Sequence, residues 1–105
     1  MPNQAQSSNT KKYDPEERTA LFGEKIIKFV RVIKVDHMNK PIITQLVSSS
    51  TGIVANYCEA DGAESKKDFQ HKIGICKKES KATKHWIRMF NTANSESKID
   101  CRKFW

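Results

Sequence analysis

The sequence predicts an all-α protein: an antiparallel up-down-up-down four-helix bundle with a flexible N-terminal tail. Three observations predict it. The stretch from Ala63 to Ala93 holds no proline and one glycine, and its apolar residues return every three or four positions. Two earlier stretches show a similar period, and each opens on a proline, a residue suited to the first turn of a helix. The connections between these stretches are short, which makes sequential helices antiparallel neighbours.

Residues 1–12 are rich in Asn, Gln and Ser and end in Lys11-Lys12; they cannot bury enough apolar surface to order themselves and read as a flexible tail. Asp14-Pro15-Glu16-Glu17 is a strong helix start, with Asp14 as cap, Pro15 at the first helical position and Glu17 completing a capping box. Tyr13 precedes that cap and can pack back onto Arg18 or its neighbours. The first helix reads as residues 15–35, with Phe22, Ile26, Phe29 and Ile33 as its seam and Ile27 and Val30 widening it. The β-branched run Val30 to Val35 favours a strand on propensity, but the seam upstream continues into it and argues helix.

Asp36 to Lys40 connects to a second helix, 41–60, opened by Pro41. Its seam is Ile43, Leu46 or Val47, Ser50, Ile53 or Val54, and Tyr57. Ser48, Ser49, Ser50, Thr51, Gly52 and Ala55 let a neighbouring helix approach closely, at the cost of helix propensity, about 1 kcal/mol for Gly52 relative to Ala. Asp61-Gly62 closes this helix, with Gly62 in the left-handed C′ position.

Ser65 and Asp68 form a capping box for a third helix, 65–92. Phe69, Ile73, Cys76, Ser80, Thr83, Ile87 and Phe90 make its heptad seam. A second row runs through Ile75, Glu79, Ala82, Trp86 and Met89, and Lys77, Lys81, Lys84 and Arg88 occupy the opposite face. Asn91 to Glu96 breaks the pattern, and Ser97 with Asp100 caps a fourth helix, 98–105, carrying Ile99, Phe104 and Trp105. Two turns are too short to stand alone, so this helix reads as truncated or docked on another copy.

A chain of 105 residues is one domain with a modest core. No apolar run approaches the ~20 residues of a membrane span, and the N-terminus lacks the apolar stretch of a secretory signal, which places the chain in the cytoplasm. Cys58, Cys76 and Cys101 form no CxxC pair and read as small apolar residues. No residue set has metal-ligand spacing, and His71 and His85 stand about 21 Å apart on one helix, too far to share an ion. No phosphate loop or nucleophile motif is present, so the reading is non-enzymatic, with no cofactor and no small-molecule substrate. Arg31 and His37 form an R-x5-H pair like that of one class of helical-bundle ribonucleases, a remote alternative.

The net charge of +7 and pI near 9.5 suit an anionic partner, nucleic acid or an acidic protein. From Glu64 to Arg88 there are eight cations against three carboxylates, so this span holds most of the excess. Lys66, Lys67, Lys77, Lys81, Lys84 and Arg88 are the candidate nucleic-acid contacts; the plain alternative is a solvated face. No aromatics interleave with them, so recognition by charge and shape is expected rather than base stacking. Asn56, Tyr57 and Glu59 are candidate structural residues, Glu59 bridging to Lys66 or Lys67 across the loop. Ile75, Trp86 and Met89, with Phe104 and Trp105, are candidate contacts with another copy, because one seam suffices for an intramolecular bundle.

Gln45-Leu46, then Ile53-Val54-Ala55-Asn56-Tyr57-Cys58-Glu59-Ala60, Ala63-Glu64-Ser65-Lys66-Lys67-Asp68-Phe69, His71-Lys72-Ile73 and Trp86-Ile87-Arg88-Met89-Phe90, resemble the bacterial four helix bundle protein family. That family is also called the ribosomal-RNA intervening-sequence protein family. The resemblance covers about residues 18–105, and departs from the family pattern at Ser48 (where Arg is usual), Gly52, Val54, Ala82 and His85-Trp86. It implies a left-handed four-helix bundle, often a ring-shaped homo-pentamer. It also implies likeness to the accessory variability determinant of diversity-generating retroelements, a basic pentamer that works with a reverse transcriptase and RNA. The resulting expectation is a homo-oligomeric adaptor that binds RNA or a nucleoprotein, or alternatively a purely protein–protein assembly module.

Overall fold

In a computed structural model the described residues are 14–100 and 102. They form three helices: α1 (Pro15–Val30), α2 (Asn39–Asp61) and α3 (Lys66–Ala93), with no strand among the described residues. The all-α expectation holds, but the four-helix bundle does not. Ser95 to Asp100 run as turns and irregular chain where a fourth helix is expected to begin. Asn91 explains the difference: its Oδ1 accepts from the Ile99 N–H at 2.7 Å and its Nδ2 donates to the Ile99 carbonyl at 2.9 Å. These two bonds tie the Ile99 backbone to the end of α3. Asp100, not Ser97, turns a side-chain oxygen to a following N–H, that of the helical Arg102 at 3.0 Å. The expected tail (1–12), Tyr13, Phe104 and Trp105 lie outside the described residues.

α1 starts as the sequence predicts, Asp14 Oδ1 accepting from the Glu16 and Glu17 N–H groups at 3.1 and 3.3 Å. It ends at Val30, five residues early. Asn39 is the reason. Its Nδ2 donates to the Lys34 carbonyl at 3.0 Å while its Oδ1 accepts from the Asp36 N–H at 2.8 Å, fixing 34–36 in a non-helical path. Val32 and Val35 are left 77% and 54% exposed, so of the β-branched run only Val30 and the half-buried Ile33 join the core. α2 starts at Asn39 rather than Pro41, because Asp36 Oδ1 accepts from the Met38 and Asn39 N–H groups at 2.9 and 2.8 Å. Pro41 falls third in the helix, directly after Lys40, whose N–H reaches the Asp36 carbonyl at 3.0 Å. Gly62 is right-handed, with φ −97°, not left-handed; its N–H still reaches the Cys58 carbonyl at 3.3 Å, and Ala63 N–H reaches that of Ala60, so the exit needs no special conformation. Ser65 opens α3 as expected, its Oγ accepting from the Asp68 N–H at 3.0 Å.

α2 is the central helix, packing closely on α3 and less on α1. The α2–α3 register is antiparallel. Glu59 faces Lys72, the Ile53 carbonyl accepts from the Cys76 thiol at 3.6 Å, and Ser49 Oγ meets Thr83 Oγ1 at 2.9 Å. Ser49, Ser50 and Thr83 are buried, so the small residues serve the close approach anticipated for them. α1 lies antiparallel to α2, Gly23 standing against Val54 and Ser50. The core gathers Phe22, Ile26, Val30, Leu46, Ile53, Ile87, Phe90 and Ile99. Phe29 meets Phe90 edge-on at 5.8 Å, joining the C-terminal ends of α1 and α3. The extents are 50 × 32 × 18 Å.

Candidate nucleic-acid interface

The capped start at Ser65 and unbroken helix to Ala93 fix the angular position of every cation on α3. At 100° per residue, Lys66, Lys77 and Lys84 stack along one line, and Lys81 and Arg88 along a second line about 40° farther round. Lys67 turns farther away. All six candidate cations are exposed. Five of them therefore share one edge about 33 Å long, Lys66 to Arg88.

The acidic residues of α3 and its neighbours stay off this edge. Glu59 pairs with Lys72 at 2.6 Å, not with Lys66 or Lys67, because the antiparallel register brings Lys72 opposite it. That hydrogen bond, then the Coulomb attraction of Glu59, raises the Lys72 ammonium above its ordinary pKa. Glu79 lies on the opposite flank, its carboxylate against Gly52. No ion pair joins Lys66, Lys77, Lys81, Lys84 or Arg88 to a described carboxylate. Uncompensated like charges along one rod give the positive potential that a polyanion's counterions would be exchanged for.

Beside this edge lies a groove that sequence reasoning missed. Thr19 of α1 forms one wall, Ile53 and Tyr57 of α2 the floor, and α3 the other wall, where Lys77, Lys81 and Lys84 stand above Ile73, Cys76 and Ser80. Its volume is about 580 Å³. Burial pushes both the Tyr57 hydroxyl and the Cys76 thiol above their ordinary pKa; the carboxylate of Asp61 adds to the first and that of Glu79 to the second. The one signal of it in the sequence was the polar pair Ser80 and Thr83 in the middle of the α3 seam, of which Thr83 is buried.

The remaining candidates are dispersed. Asn56 bonds locally, its Nδ2 donating to the Gly52 carbonyl at 2.8 Å. Ile75, Trp86 and Met89 are each half-buried on the α3 flank away from the lysines, and Trp86 packs against the core with the His85 ring edge-on at 4.9 Å. Arg31 and His37 are both exposed in the α1–α2 connection. Among the described residues no group of three or more His, Cys, Asp or Glu is placed to hold a metal ion, and no helix is long and apolar enough to cross a membrane. Comparison of the chain with protein-family models, with curated proteins and with solved structures gives no match.

Proposed function

We propose that the chain is a non-enzymatic, homo-oligomeric helical adaptor of the cytoplasm that holds RNA, or an RNA–protein particle, through phosphate contacts along the α3 edge. One observation carries the reading: five exposed cations share that edge and no described carboxylate pairs with them. Phosphate contacts of this kind position a polyanion without reading its sequence. The resemblance to the ribosomal-RNA intervening-sequence proteins supports assembly of several copies, a pentamer in the family's usual form, which would repeat the edge around a ring. Filter binding of a mixed-sequence RNA at low and at physiological salt tests it. Affinity that falls steeply with salt and varies little between sequences is the expected result; no salt-sensitive affinity for RNA refutes it.

The second reading, a protein–protein assembly module, is favoured by the apolar floor of the groove beside the lysines. It predicts assembly without nucleic-acid affinity, measured by light scattering alongside the same filter assay.

A further inference from the structure

The α3 seam, which its heptad spacing assigns wholly to a core, is covered along only part of its length. Ile87 and Phe90 are buried, but Phe69 is 44% exposed and Ile73 and Ser80 are half-buried. Phe69, Ile73 and Ser80 lie on one seam at steps of four, three and four with the buried Cys76 between them, so the partly open residues share one line. The groove lies over Ile73, Cys76 and Ser80, and a second hollow of about 410 Å³ shares Lys84 with it and reaches Asn91 and Thr92. Phe69 to Asn91 is about 33 Å at 1.5 Å per residue, the length of a helix of roughly 20 residues. Lys77, Lys81, Lys84 and Arg88 stand along one rim, and among the described residues no carboxylate lines either hollow.

An apolar floor offers a phosphate backbone nothing, and among the described residues Tyr57 is its one aromatic side chain, too little for a stacking platform. It fits the apolar stripe of a helix, the helix-in-groove mode of recognition. We infer that this groove receives an amphipathic helix from a protein partner, its apolar stripe on Ile73, Cys76 and Tyr57 and its carboxylates facing Lys77, Lys81 and Lys84. The lysine steps of four and three match carboxylates repeating at the same steps along a helix, as flanking charges do in coiled coils. The inference rests on the reading of the α3 edge as the recognition surface, and it names the protein component of the particle bound there. The outer cations, Lys66 and Arg88, remain open to phosphate.

The probe is a fluorescein-labelled synthetic peptide of about 20 residues with leucines at helical spacing and glutamates flanking them, the helix length set by the groove. Controls are a scrambled peptide and one with lysines in place of the glutamates. Fluorescence anisotropy is expected to show the acid-edged peptide binding at least about tenfold tighter than either control, a difference of about 1.4 kcal/mol. Ser80→Trp fills the groove from a half-buried position and is expected to weaken peptide binding about tenfold while RNA retention on filters is unchanged, with circular dichroism confirming the fold. Lys77→Glu, at an exposed site, should weaken the acid-edged peptide and strengthen the lysine-edged one. Equal binding of the acid-edged and scrambled peptides overturns the inference, as does a Ser80→Trp chain that binds the peptide undiminished. Self-association abolished by Ser80→Trp with no peptide binding also overturns it, in favour of a second copy. Peptide binding without RNA binding upholds the groove and refutes the nucleic-acid reading.

Discussion

Asn39→Ala should be among the most damaging polar substitutions in this chain. Asn39 is 1% exposed and makes three hydrogen bonds: Nδ2 to the Lys34 carbonyl and to Asn94 Oδ1, each at 3.0 Å, and Oδ1 from the Asp36 N–H at 2.8 Å. Those bonds tie the α1–α2 connection to the C-cap of α3, where Asn94 donates its own Nδ2 to the Phe90 carbonyl at 3.0 Å. Each bond contributes about 1 kcal/mol net, and each partner left buried without one costs about 1–3 kcal/mol. Lys34 and Asp36 are exposed, so water relieves part of that loss. The expected destabilisation is about 2–4 kcal/mol, or roughly 15 °C in Tm for a domain of this size. Urea unfolding should show a lower midpoint with an unchanged slope. Asn39→Asp keeps the acceptor but loses both donors, and buries a carboxylate against two oxygens. Its folded pKa therefore rises above the unfolded value, and its stability, fullest at acid pH, is lost as pH climbs through the carboxylate range. A cycle with Asn94→Ala should return a coupling of about 1 kcal/mol. A loss below about 0.5 kcal/mol for Asn39→Ala, the scale of an ordinary surface change, would refute the reasoning.

The two helical glycines that face side chains should answer differently to alanine. At Gly52 a Cβ would stand 2.9 Å from Glu79 Oε2, the movable end of a long side chain, so the gain in helix propensity should prevail and stabilise by up to about 1 kcal/mol in urea unfolding. At Gly23, buried, it would stand 3.1 Å from Val54 Cγ2 in packed surroundings, and the same change should bring no gain or a loss. Cys58 is exposed and Cys76 buried, so a thiol reagent at neutral pH should modify Cys58 first in a Cys101→Ser background. The Cys76 pKa is raised by burial, so its contribution is complete below the ordinary thiol pKa and lost as pH rises through that value toward the folded one. Cys76→Ala should flatten the alkaline fall in stability measured by urea titration. Ser65→Ala and Asp14→Ala should each cost about 1 kcal/mol by the loss of a cap, read from thermal unfolding.

The strengths and failures of the sequence reading have a common physical origin. Local signals were legible where the controlling partner lies within one turn: Asp14 over Glu16 and Glu17, Ser65 over Asp68, and the period that places Phe22, Ile26, Ile53, Ile87 and Phe90 inside. Boundaries failed where a distant side chain decides them. Asn39 holds the end of the α1–α2 connection by reaching back five residues, and Asn91 holds the Ile99 backbone by reaching forward eight. Neither asparagine differs in sequence from one that merely faces water. The lysine row was legible because helical spacing alone sets angles on a helix, but it borders the seam at the groove and does not lie opposite it. The groove beside it was not, because it depends on where α1 lies over α2.

If the α3 edge is a phosphate-binding surface, the salt dependence of RNA affinity must report it, and that dependence is the most direct test. The comparison is between the natural chain and Lys77→Glu/Lys84→Glu/Arg88→Glu, three exposed positions whose change leaves the core untouched. For single-stranded RNA the slope of log K against log salt should be smaller by about 2 in the variant, at about 0.7 for each phosphate that is no longer neutralised. An identical slope in the two chains, or none in either, would contradict a phosphate-binding role for this edge.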